Sequence, residues 1–210
     1  MALNLSKGSR FNLAKDAPKM KVAGIGLGWN PNKEENVPHF ELDVSAFLVG
    51  ENGKIPTDDY AVFYGSELKM DTPDGPRPYS GDGSVIGTID LIDNRTIDRE
   101  DDEDLIITFN KIWEGIHEVV ITVTICKYPN DKKKDRRTLL QNFGMVEDCY
   151  IRLWDYEAGV EIFRYNLNEK FTNEDAVEFG RFRRLGNSWE FIASGEKYTG
   201  GLNKFIEIFT

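Results

Sequence analysis

Eight carboxylates crowd 15 consecutive positions: Asp90, Asp93, Asp98, Glu100, Asp101, Asp102, Glu103 and Asp104, offset by Arg95 and Arg99. Carboxylates held this close repel one another unless solvent spreads them or a cation gathers them. The cation this set suits is Ca2+, which takes about six to eight oxygens in flexible geometry from carboxylates, carbonyls and water. Zinc would ask for His or Cys, and the stretch has neither. An EF-hand does not fit. A window opened at Asp93 sets Arg95 and Ile97 at ligand positions, and Asp98 where glycine is required. A second pair sharpens the pattern. Glu41 and Asp43 lie two apart in an alternating run, so a strand presents both on one face, with Ser45 next along. An acidic loop available to meet an acidic strand is more specific than a charge run alone, whose bland reading is a solvated loop that binds nothing.

The elements that must position these groups read as β. Phe40, Leu42, Val44, Ala46 and Leu48 alternate with polar or outward residues at a period near two. Further strands are expected over 22–26, 59–64, 105–108, 118–126, 149–155, 160–165, 176–184 and 189–198, all rich in Val, Ile, Phe, Tyr and Trp. Gly, Asn, Asp and Pro punctuate them, as at Thr72-Pro73-Asp74-Gly75 and Leu185-Gly186-Asn187. Many short strands at this spacing predict an all-β fold: a β-sandwich of two antiparallel-rich sheets with few short helices, in one domain over 1–210. Short helical turns are expected over 110–116, 139–145 and 202–209. In the last, Leu202, Phe205 and Ile206 fall on one face. Two long loops are expected, 66–103 and 128–137. The second carries Lys132-Lys133-Lys134 and Arg136-Arg137 and reads as a solvated hairpin tip.

Composition narrows the function. The 210 residues hold 26 Lys and Arg against 36 Asp and Glu, a net charge of −10, of which residues 90–104 contribute −6. That balance argues against a nucleic-acid backbone or an anionic membrane surface as partner. Residues 1–8 lack the charged and apolar regions of a secretion signal, and no run approaches the roughly 18–20 apolar residues of a membrane span. The expectation is a soluble, cytoplasmic protein. Cys126 and Cys149 read as small buried hydrophobes, and two cysteines make neither a disulfide scaffold nor a four-thiolate zinc site. Gly24-Ile25-Gly26-Leu27-Gly28 lacks the full dinucleotide-binding spacing and is better read as close strand packing. His39 and His117 have no serine or cysteine partner in a nucleophilic motif.

Several of these segments together resemble the TerD-type tellurium-resistance and stress-response proteins. They are Leu5-Ser6-Lys7-Gly8, Gly26-Leu27-Gly28-Trp29-Asn30, Phe40–Phe47, Asp101-Asp102-Glu103, Gln141-Asn142-Phe143-Gly144, Glu161–Leu167 and Tyr198-Thr199-Gly200-Gly201-Leu202, in that order. The resemblance implies a β-sandwich that binds one or two Ca2+ through loops at one end, with no catalytic activity. It also implies partners among other Ter-type stress proteins and a TerC-like membrane protein, met at the inner face of the membrane. Residue by residue, it points to Asn30, Glu41, Asp43, Asp93, Asn94, Glu100, Asp101, Asp102 and Glu103 as metal ligands. Asn30 stands where the family carries Asp, and Glu41 is a longer substitute for Asp. Ile97-Asp98-Arg99-Glu100 replaces a glycine-rich run whose turns would present carbonyls to an ion. This puts the second site in question and leaves a first site built on Asp43, Asp93 and Asp101–Glu103. The expected mechanism has metal draw the self-repelling 90–104 loop onto the Glu41/Asp43 strand, making a surface for a partner. Two alternatives stand beside it: a metal-free scaffold in which Arg95 and Arg99 pair with the loop carboxylates and replace the ion, and a hydrolase using the carboxylate cluster.

Overall fold

Alternating apolar runs bury one face each, and here two sets of them close on each other. The computed structural model describes residues 3–4, 7–30, 40–73, 75–88, 101–127, 140–166 and 172–210. The strands are β1 (Leu3–Asn4), β2 (Arg10–Asn12), β3 (Val22–Asn30), β4 (Leu42–Val49), β5 (Ala61–Val62), β6 (Lys69–Thr72) and β7 (Gly75–Pro78). They continue with β8 (Val85–Ile86), β9 (Glu103–Thr108), β10 (Glu118–Ile125), β11 (Glu147–Asp155), β12 (Val160–Asn166), β13 (Ala176–Leu185) and β14 (Ser188–Tyr198). Helix α1 (Leu13–Asp16) is one turn and α2 (Gly201–Phe209) is the longer. One sheet runs β1-β12-β11-β3-β9-β8, antiparallel except for the parallel β1–β12 pair, and the other runs β2-β14-β13-β10-β4-β5. Strands β6 and β7 form a separate hairpin. The all-β sandwich is therefore the fold.

The core lies between the sheets. Ile25, Leu27, Leu105, Ile107, Ile151, Leu153 and Phe163 from the first sheet meet Leu42, Val44, Val119, Ile121, Phe182 and Phe191 from the second. Each is nearly solvent-free, and a buried aliphatic or aromatic side chain contributes about 1.5–3 kcal/mol. The second sheet also buries its other face. Phe205 and Phe209 of α2 pack on Phe47, Val49, Val120 and Ala176. This is why Phe47 and Val49 of β4 are buried where alternation alone would leave that face exposed, while Asp43 is covered beside Tyr64, Thr88 and Glu103. Helix α2 starts where Asp175 accepts hydrogen bonds from the Gly200 and Gly201 amides at 2.8 and 3.0 Å, a cap supplied from β13's leading loop. Lys127 neutralises the other Asp175 oxygen at 2.6 Å.

Several expected elements shift. The strand expected over 59–64 is a 3-10 turn at Asp58–Tyr60 followed by the two-residue β5, because the Ala61 amide closes onto the Asp58 carbonyl. Residues 110–116 give only a 3-10 turn at Phe109–Lys111, and 143–145 another; the start of the 139–145 expectation lies outside the described residues. The loop expected over 66–103 contains the β6–β7 hairpin and β8. Glu41 sits one residue before β4 rather than on it. The basic run at 132–137 lies outside the described residues.

Candidate metal centre

Strand β9 opens with the acidic run and leads it to four different partners. Asp101 lies over Gly26 on the outer face of the first sheet. Only glycine permits this, since a Cβ there would stand 2.2 Å from Asp101 Oδ2. Arg152 from β11 grips this carboxylate with Nε at 2.9 and 3.0 Å and Nη2 at 2.7 Å, and the Tyr150 hydroxyl donates to it at 3.1 Å. Both ions are largely buried, at 8% and 12% side-chain exposure. Burial beside Asp101 pushes the Tyr150 phenol up to about 12. Arg152 also reaches Glu161, which a closer pair with Arg164 holds below the usual carboxylate range. Gly24 and Gly28 give the same clearance to Trp154 and Tyr150, so the Gly-rich run is a packing device for the ladder across β11.

Asp102 turns outward and accepts from the Trp29 amide at 2.9 Å. Partial desolvation, with Asp101 adjacent, raises its carboxyl in spite of that hydrogen bond. Asp104 pairs with Arg77 of β7 at 2.7 Å, and Thr88 Oγ1 bridges its backbone at 2.5 Å. Glu103 behaves differently. It turns toward the opposite sheet, where its Oε2 accepts the Val44 amide at 2.7 Å. Burial, together with the charges of Asp43, Glu41 and Asp104, pushes its carboxyl well above the usual range, against the Val44 hydrogen bond. Glu103 and Asp43 line one small cavity of about 10 Å3 with Thr88, Gly87 and Tyr64, room for a single water-sized sphere. Asp43 itself is 8% exposed.

The expected ligands thus separate. Asp43 and Glu103 line one cavity at the β4–β9 junction, and the charge of exposed Glu41 is felt there without its side chain lining it. Asp101 faces Arg152 and Asp102 faces Trp29. Asn30 ends β3, paired in register with Glu147. Asp93, Asn94 and Glu100 lie outside the described residues. Among the described residues, no three His, Cys, Asp or Glu side chains converge closely enough to hold an ion. Asp43 and Glu103 present carboxylates to one small space and supply two of the about six to eight oxygens Ca2+ takes, whereas the Asp101 oxygens are already filled by a guanidinium. Sequence reasoning missed Arg152, Tyr150, Arg77 and Thr88. Arg152 was findable: Cys149, Ile151 and Leu153 alternate inward, which leaves Tyr150, Arg152 and Trp154 as one outward row.

Comparison with known proteins gives one consistent family. The TerD domain model matches residues 1–209. The tellurium resistance protein TerD of Serratia marcescens is 36% identical over 203 residues, covering 96% of this chain and 94% of that protein. General stress protein 16U of Bacillus subtilis (strain 168) is 30% identical over 202 residues, with the same two coverages, 96% and 94%. A crystal structure of a homologue of telluride resistance protein (TerD), SCO6318 from Streptomyces coelicolor A3(2), superposes with a TM-score of 0.61. That match is at 17% identity and covers 89% of this chain and 95% of that one.

Proposed function

This chain belongs to the TerD family, and from that premise we propose that it is a non-enzymatic stress-response protein, acting in resistance to tellurium and related chemical stress through calcium-dependent binding. The observation that carries the calcium reading is the juxtaposition of Asp43 and Glu103 from opposite sheets around one ion-sized cavity. Two carboxylates this close need a proton or a cation between them. Calcium bound there supplies two positive charges that permit both to ionise. Asp43 and Glu103 would hold the ion, Glu41 adds charge at its rim, and Asp93, Asn94 and Glu100 are the proposed source of further oxygens.

The protein's own residues do the rest. Val44 fixes one Glu103 oxygen through its amide. Arg77 draws Asp104 away from the cavity and ties it to the β6–β7 hairpin. An ion that gathers Glu103 therefore acts on a short β9 segment whose next residue anchors that hairpin. This links metal to the shape of one end of the sandwich, the surface proposed to meet other Ter-type proteins or a TerC-like membrane partner on the cytoplasmic side. No helix among the described residues is long and apolar enough to cross a membrane. A ligand that binds only the native state at 100 times its Kd stabilises it by about 2.7 kcal/mol. Melting curves in millimolar CaCl2 and in EDTA test the proposal. A Ca2+-dependent rise in Tm that Asp43→Asn abolishes is expected, and an unchanged Tm would overturn it.

A second reading has one observation in its favour. Arg152 already neutralises Asp101 as an ion would, so a scaffold that needs no metal is consistent with that half of the site.

A further inference from the structure

The end of the sandwich away from the carboxylate cavity holds a cleft whose charged lining residues are basic. Strand β9 begins at Glu103 and leads into Phe109 at its far end, beside α1 and the β13–β14 turn. A cleft of about 430 Å3 opens there, within the size range of small-molecule sites. Its floor is formed by edges of Leu13, Met20, Phe109, Ile112 and Trp189. Its charged lining residues are Lys21 and Arg184, with no carboxylate, in a chain whose net charge is −10.

Arg184 is held in place by carbonyls and an aromatic ring, with the charge of Glu114 nearby but no ion pair to it. Its guanidinium lies 4.4 Å from the Trp189 ring centroid. Its Nε donates to the Ile116 carbonyl at 2.8 Å, and Nη2 donates to Trp113 and Ile112 carbonyls at 3.0 and 3.5 Å. These bonds fix the fork and pin the turn at 112–116, but carbonyls carry only partial charge. Arg184 makes no ion pair with any described residue, and its Nη1 donates to no described group. The other arginines that cross the sheets, Arg152, Arg164 and Arg181, each hold a carboxylate. A preorganised guanidinium stacked on an aromatic, with a lysine beside it and an apolar floor beneath, has the chemistry of oxyanion recognition.

We propose that this cleft binds a small amphipathic anion: a carboxylate or phosphate monoester group, met by Arg184 and Lys21, carried on an apolar body that lies against Phe109 and Trp189. The site is independent of the calcium reading and stands or falls separately.

Calorimetric titration of the full chain with phenyl phosphate, benzoate and inorganic phosphate tests it, in EDTA so that the carboxylate end plays no part. One-to-one binding of phenyl phosphate or benzoate is expected, and which binds more tightly distinguishes the two anion classes. Inorganic phosphate, lacking the apolar body, is expected to bind at least about tenfold more weakly. Lys21→Glu, at an exposed position, is expected to weaken binding about tenfold or more, and Arg184→Lys to weaken it while keeping the charge. Should Arg184→Lys unfold the 112–116 turn, Lys21→Glu still decides. No saturable heat with either organic anion at millimolar concentration would overturn the proposal. So would affinity unchanged by Lys21→Glu, or inorganic phosphate binding as tightly as phenyl phosphate.

Discussion

Gly26→Ala places one methyl group where the Asp101 carboxylate now lies, and its cost follows from the geometry. The new Cβ would stand 2.2 Å from Asp101 Oδ2 and 2.3 Å from its Cγ. Asp101 must leave, and it takes with it three hydrogen bonds from Arg152 and one from Tyr150. Breaking a buried ion pair by separating its partners costs about 3–5 kcal/mol, and replacing glycine within a strand returns about 0.5–1 kcal/mol. The net loss is about 2–4 kcal/mol. For a chain of this length 1 kcal/mol moves Tm by roughly 2–4 °C, so a fall of about 5–15 °C is expected. Differential scanning calorimetry at pH 7, in EDTA and again in excess CaCl2, reads both the fall and any calcium increment. With Asp101 acting as a counter-charge to Arg152 rather than as a ligand, Tm falls but the calcium increment survives. A Tm within 1 °C of wild type would refute the packing argument, and loss of the calcium increment would refute the assignment of Asp101.

Two further outcomes follow from the carboxyls that folding perturbs. Glu103 is raised above its ordinary 4.5, so it favours the fold below that pH, and the contribution is lost as pH rises through its folded value. Glu103→Gln in EDTA should therefore raise Tm at pH 7, leave it unchanged below about pH 4, and remove the response to CaCl2; melting curves across that range decide. Asp82 is the opposite case. Burial would raise it, but hydrogen bonds from Ser84, the Trp113 amide and Ser80 outweigh that and hold it below 3.8. Its stability is present above that value and lost as pH falls through the depressed one, so Asp82→Ala should cost about 1–3 kcal/mol at pH 7 and progressively less in acid, by urea denaturation at each pH.

The parts of this molecule legible in its sequence are those set by period-two alternation. β11 and β14 fall within a residue or two of the expected bounds because one buried face imposes a side-chain rhythm, and β10 and β13 do so because strands buried on both faces read as apolar, β-branched or aromatic runs. The α2 helix was legible from the spacing of Leu202, Phe205 and Ile206. β4 was legible as a strand but not as a fully buried one, since the helix that covers its second face comes about 150 residues later. The hairpin β6–β7 was hidden by its proline and glycine content, which reads as loop although hairpin edges tolerate both. At the site, the acidic run is expected to meet the Asp43 strand, and of that run Glu103 lines the same small cavity as Asp43. What local sequence cannot encode is how consecutive carboxylates divide. Asp101, Asp102, Glu103 and Asp104 look equivalent in line, yet each meets a partner from a different strand or loop: Arg152, Trp29, Val44 and Arg77. Long-range pairing decides which carboxylates are neutralised by arginine and which are not.

The most direct test of the calcium assignment is a high-resolution crystal structure grown with CaCl2. An ion is expected beside Asp43 and Glu103, with their oxygens at about 2.3–2.6 Å, and Asp101 still gripped by Arg152. An ion bound to Asp101 with Arg152 displaced, or no ion beside Asp43 and Glu103, would contradict it.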